Sequence, residues 1–103
     1  MNMLPGLILA TLIGNLSDLP YGSIYFTESR LEADYNIYIE SSEIHSDLNV
    51  FKVDSQALAD ASGLWYIVDT RAEADHVVYI ESEKELADFS INYVSSESFS
   101  GVH

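Results

Sequence analysis

The sequence predicts an all-β repeat fold, a small β-solenoid-like stack of six strand-plus-helical-turn units behind an apolar N-terminal segment, with a six-stranded antiparallel meander as the alternative. Three observations carry this expectation. A motif closing on a small residue and Asp recurs as SRLEAD (29–34), SQALAD (55–60), TRAEAD (70–75) and EKELAD (83–88), with SEIHSD (42–47) as a looser copy. Aligned on that Asp, the chain divides into six units of thirteen residues, 22–34, 35–47, 48–60, 63–75, 76–88 and 89–101; only Ala61 and Ser62 interrupt the register, three units on either side. The first half of each unit is rich in β-branched and aromatic residues, the composition of a strand.

Two regions follow from this division, an N-terminal segment over 1–21 and a six-repeat domain over 22–103. The segment holds an apolar run from Leu7 to Ile13, and Asp18 is the only charge in its first twenty residues. A secretory signal wants a basic start, whereas the first Lys or Arg here is Arg30. The run is also shorter than the ~20 apolar residues that span a bilayer. Three readings stay open: a cap over one end of the repeats, a docking peptide for a partner or a membrane surface, and an atypical secretion signal. The cap is preferred because stacked repeats need their terminal apolar faces covered. Leu7, Ile8, Leu9, Leu12 and Ile13 are the candidate partner-binding residues of this segment. Asn15-Leu16-Ser17 fits the glycosylation tripeptide, a pattern short enough to arise by chance.

Within the repeats, the third position reads Ile24, Ile37, Val50, Trp65, Val78, Ile91 and the fourth Tyr25, Tyr38, Phe51, Tyr66, Tyr79, Asn92. A short strand with apolar neighbours on either side of the fourth position is expected to be covered on both faces. The fourth-position aromatics are therefore expected in the core, with an exposed stacking platform as the alternative. Trp65 is expected to pack. Position eight is Ser29, Ser42, Ser55, Thr70, Glu83, Ser96, mostly residues whose side chains accept a bond from the first N–H groups of a helical turn. Ser29 with Glu32, Thr70 with Glu73 and Ser82 with Glu85 have capping-box spacing. Position twelve, Ala33, Ser46, Ala59, Ala74, Ala87 and Ser100, is always small, as a turn lying close on a neighbour requires. Asp34, Asp47, Asp60, Asp75 and Asp88 then end the turn by bonding local backbone. In the sixth unit Gly101 takes that place.

A meander normally turns in two to five residues, whereas these links are longer and carry a recurring turn of their own. A parallel return is preferred on that ground, although parallel crossovers ordinarily take a dozen residues.

The alternation NVFKVDSQALAD, GLWYIVDTRAEAD, HVVYIESEKELAD resembles an uncharacterised bacterial family of short tandem-repeat proteins built from thirteen-residue strand plus S-x-x-x-A-D units. The resemblance spans about residues 22–101 and implies a repeat fold without implying an activity. The apolar N-terminus and the degenerate sixth unit depart from it.

Charge and chemistry narrow the function classes. Seventeen acidic residues oppose four basic ones, a net charge of −13, so nucleic acid is excluded as a partner and basic surfaces or cations are favoured. With 48% hydrophobic residues the chain should nevertheless fold. It has no cysteine, and His45, His76 and His103 lack ligand spacing. Stacked rungs would align Asp34, Asp47, Asp60, Asp75 and Asp88 in a column, a candidate calcium or other hard-cation site, with backbone capping as the structural alternative. Arg30, Arg71 and Lys84 each stand four residues before an Asp, the spacing of pairs on one side of a turn. Polar residues repeat alike from unit to unit, the opposite of the convergent unlike groups an enzyme needs. The expectation is a non-catalytic acidic module for protein interaction or self-association, without a cofactor. A divalent-cation-binding repeat protein and an acidic inhibitor or nucleic-acid mimic are the alternatives.

Overall fold

Five positions of each unit alternate between side chains that need burial and side chains that do not, and strands form there. The computed structural model describes residues 19–102. Six strands follow the six units: β1 (Gly22–Phe26), β2 (Tyr35–Ile39), β3 (Leu48–Lys52), β4 (Leu64–Ile67), β5 (His76–Ile80) and β6 (Phe89–Tyr93). A short β7 (Gly101–Val102) comes last. Single 3-10 turns at Arg30–Glu32, Glu43–His45, Gln56–Leu58, Arg71–Glu73, Lys84–Leu86 and Glu97–Phe99 lie in the links. Leu7, Ile8, Leu9, Leu12 and Ile13 fall outside the described residues.

Consecutive units do not stack as solenoid rungs. The sheet order is β4-β1-β5-β2-β6-β3-β7, and a β3–β4 pairing closes the first six strands into a barrel. The chain places β1, β2 and β3 around one circuit with a gap one strand wide after β1 and after β2. It then steps to β4 beside β3, and β5 and β6 fill the gaps on a second circuit. Two expectations are corrected. A solenoid pairs each unit with the next, but here β3–β4 is the single such pair among β1–β6. The antiparallel meander fails because all six barrel pairings are parallel; β7 against β3 is the antiparallel one. The physical reason is edge closure: an open stack leaves unpaired strand edges at its ends, and a closed wall leaves none.

The register explains the shape of the wall. Ile24 lies opposite His76, Val78 opposite Tyr35, Ile37 opposite Phe89, Ile91 opposite Leu48 and Trp65 opposite Gly22; Phe51 lies opposite Leu64 at the sixth interface. Each step offsets the neighbour by two residues in the same sense, six steps of two residues making a stagger of twelve. So large a stagger tilts the strands steeply and widens the barrel enough to hold six large side chains.

Those six are the third-position residues. Ile24, Ile37, Val50, Trp65, Val78 and Ile91 are all fully buried and form the core with Leu48, Phe89 and Leu19. The fourth-position aromatics do not join them. Tyr25, Tyr38, Phe51, Tyr66 and Tyr79 stay half-buried on the outer face, which corrects their placement in the core. The reason is the pleat: once position three points inward, position four must point out.

The links form a second layer outside the wall. The turns at 71–73, 84–86, 97–99 and 56–58 pack over β1, β2, β3 and β4. Those at 30–32 and 43–45 span β5 and β6, the strands that separate β1 from β2 and β2 from β3. Beneath this layer Ser23, Asn49, Leu64, Val77 and Ser90, all at position two, are buried. The small position-twelve residues fit the same space: Ser46 and Ala59 are buried and Ala33, Ala74, Ala87 and Ser100 half-buried.

Candidate functional site

The repeated Asp residues sit where four of the six barrel ladders begin. Asp75 donates its N–H to the Ser23 carbonyl at 2.8 Å, and its Oδ2 accepts the Ser23 N–H at 2.9 Å. Asp34 brackets Val77 in the same way, with Val77 N–H to Oδ2 at 2.8 Å; Asp88 brackets Asn36 at 2.8 Å and Asp47 brackets Ser90 at 2.9 Å. In a parallel ladder the first N–H of a strand would meet the carbonyl two residues before the Asp. The turn has carried that carbonyl away, and the carboxylate supplies the acceptor instead. Gly22, at φ +106°, makes room for one such lock, since a Cβ there would stand 2.5 Å from Asp75 Oδ2.

These bonds correct the expectation of local capping, because each Asp reaches a strand 43 or 52 residues away. The turn starts also differ from expectation. Ser29, Ser42, Ser55, Thr70 and Glu83 make no side-chain cap, and only Ser96 accepts from a turn N–H, that of Ser98. A 3-10 turn of three residues offers few orphan donors, so the cap has little to satisfy. Of the capping-box pairs, Thr70 donates directly to Glu73 at 3.0 Å.

Asp60 is the exception among the five. The insertion of Ala61 and Ser62 displaces it from the start of the β3–β4 ladder, and no hydrogen bond or ion pair engages it among the described residues. Nor does any group of three or more His, Asp or Glu side chains there come together in a way that would hold a metal ion. The column imagined for a stack is distributed around a barrel instead.

The basic residues of position nine pair between links, not within a turn. Arg30 donates to Glu81 at 2.9 Å, Arg71 to Glu32 at 2.8 Å, and Lys84 to Glu40. This corrects the pairing with the Asp four residues on, which is already engaged in its ladder. The hydrogen bond that Lys84 donates to Glu40, with further attraction from the Glu40 charge, raises the Lys84 pKa above its ordinary value. Lys52, the remaining basic residue, lies over the Tyr93 ring at 4.3 Å, and burial raises the Tyr93 pKa. Every Lys and Arg is therefore committed internally. Glu40 and Glu81 escaped the sequence analysis, although position six carries their signal: two acids in a column otherwise reading Thr27, Val53, Val68 and Val94.

The outward face is left acidic, with apolar side chains set into it. Leu31 is 96% and Ile44 79% exposed, and Leu58, Leu86 and Phe99 project from other turns. At one end of the wall a cavity of about 440 Å³ is lined by Phe26, Thr27, Glu28, Tyr79 and Ile80. No helix among the described residues is long and apolar enough to cross a membrane.

Comparison with known proteins gives one family. The sequence model of a family described as the 7(1) septoil knot domain matches residues 20–103. The two interlaced circuits, in which every link between β1 and β6 except that from β3 to β4 steps over an intervening strand, fit that description. No curated protein and no solved structure matches the chain.

Proposed function

The chain belongs to the 7(1) septoil knot domain family, and we propose that it is a non-catalytic acidic module that docks on a basic protein surface. The observation that carries this reading is the commitment of all four basic side chains to internal partners, Arg30, Arg71 and Lys84 to glutamates and Lys52 to Tyr93. With the four basic charges offset in this way, thirteen acidic charges in excess give the outer surface a net negative field. Such a field raises the encounter rate with basic partners and opposes self-association through like faces. Leu31 and Ile44 supply apolar contacts within that field, the kind of side chain that becomes a buried anchor when a partner covers it. The chemistry of the wall supports a binding role over catalysis, since its recurring Asp residues serve as ladder acceptors.

Peptide selection from a random display library against the immobilised full chain tests the reading. Recovered sequences should be enriched in Lys and Arg interspersed with Leu, Ile or aromatic residues, and should bind less well to Leu31→Ser and Ile44→Ser variants. Recovery without basic enrichment overturns it.

A further inference from the structure

We propose that the cavity beside link 27–34 receives the guanidinium of an arginine side chain. The inference deepens the module reading and rests on it for the source of that arginine, an exposed residue of the basic partner. The lining residues are of the kinds a cation site uses: the aromatic Phe26 and Tyr79, the aliphatic Ile80, Thr27 and the acidic Glu28. Aromatic faces attract a cation through their quadrupole, apolar walls cover its alkyl stem, and a carboxylate fixes its charged end. The volume of about 440 Å³ lies in the range of small-ligand sites.

The protein already holds a guanidinium on part of this surface. Arg30 lies 5.6 Å from the centroid of the Tyr79 ring and donates through Nη2 to Glu81 Oε1 at 2.9 Å. Glu81 follows Tyr79 and Ile80 in the chain, and its side chain is 1% exposed. Its second oxygen, Oε2, is buried and has no hydrogen-bond partner among the described residues. That oxygen leaves unused acceptor capacity on the residue that follows Ile80, while the charge of the carboxylate is met by Arg30. Arginine fits better than lysine because its planar head stacks on a ring and meets a carboxylate at once. Leu31, exposed on the same link, is available as an apolar contact for the arriving chain.

NMR titration of the full chain with N-acetyl-arginine amide tests this, with N-acetyl-citrulline amide as the neutral isostere. The expected result is saturable shifts confined to residues 26–28 and 79–81, absent with citrulline. Glu28→Gln and Tyr79→Leu should each weaken binding about tenfold, while Glu97→Gln, an equal charge change on another link, leaves it intact. Shifts spread evenly over the acidic surface, an equal citrulline response, or indifference to Glu28→Gln and Tyr79→Leu overturn the inference. The two readings fail separately. Basic peptides that bind Glu28→Gln as well as the parent chain sink the cavity and leave the module, whereas arginine seated in the cavity with no basic peptides selected sinks the module.

Discussion

The barrel is held in two ways on its two sides. Around β1, β5, β2, β6 and β3, four ladders start with an Asp that brackets one residue of the neighbouring strand, and the links above them are joined by Arg71–Glu32, Arg30–Glu81 and Lys84–Glu40. Around β4 neither an Asp bracket nor such a pair between links is found among the described residues. Ser62 and Tyr21 stand where the repeat would place Asp, and the region is closed by packing. Trp65 fills the interior and donates its Nε1–H to the Pro20 carbonyl at 2.9 Å, Leu19 joins the core, and Ser62 donates to the Leu19 carbonyl at 3.3 Å. Gly63, at φ +88°, lies so close to its neighbours that a Cβ would stand 2.5 Å from the Asn49 carbonyl oxygen. A regular wall can use one repeated polar device, but the strand that joins two circuits meets different neighbours and needs its own apolar solution.

The largest break in that comparison should come from Trp65→Ala. It removes the largest core side chain and the bond to Pro20, at a cost of about 3–5 kcal/mol, read as a fall in the denaturant midpoint. A loss within the range of an exposed substitution would contradict the role given to β4.

Breaking a polar lock should cost less. Asp34→Ala or Asp88→Ala leaves a strand N–H without its acceptor and should destabilise by about 1–3 kcal/mol. Amide hydrogen exchange sharpens the test, because protection should drop first at Val77 for Asp34→Ala and at Asn36 for Asp88→Ala. Uniform loss of protection would assign these residues a general electrostatic role instead.

Alkali should act on the locked side, through Lys84 of the β5–β6 link and Tyr93 of β6. The Lys84 pKa is raised by Glu40 and the Tyr93 pKa by burial, so the folded state keeps both protons after the unfolded state has begun to release them. Stability therefore falls as pH climbs past the ordinary values of 10.0 for tyrosine and 10.5 for lysine, and these two groups contribute no slope at neutral pH. Lys84→Gln and Tyr93→Phe should flatten the alkaline limb of a stability-against-pH curve; an unchanged limb would count against the Lys84–Glu40 pair and against the effect of burial on Tyr93.

The smallest effect belongs to Asp60. Outside the ladder and without a partner among the described residues, it should tolerate Asp60→Ala within ~0.5 kcal/mol. A loss as large as that of Asp34→Ala would show the insertion to be no break in the lock pattern.

Much of this was written in the chain. The thirteen-residue period and the strand in each first half follow from the repeat and from β-branched composition, which are local properties, whereas the face that turns inward did not, since both faces were expected to be covered. The three-plus-three division by Ala61 and Ser62 was visible too, and it marks the step from the first circuit to the second. The role of the Asp was legible only as a turn-closing residue, because the N–H it accepts belongs to a strand 43 or 52 residues distant. The Arg30–Glu81 pair and the cavity at Tyr79 were hidden for the same reason.

By itself, then, the sequence determined what each unit is: a strand, a return link with one tight turn, a small residue that permits close packing, and an Asp ready to accept a backbone bond. Only the tertiary structure decided which unit lies beside which. A link that returns to the adjacent strand position and one that steps over an intervening strand differ by a single strand spacing of ~4.8 Å, less than the reach of eight residues, so local chemistry does not separate them. The closed wall buries all six third-position side chains and leaves no barrel edge unpaired, and that global gain selects the interlaced barrel over the stack.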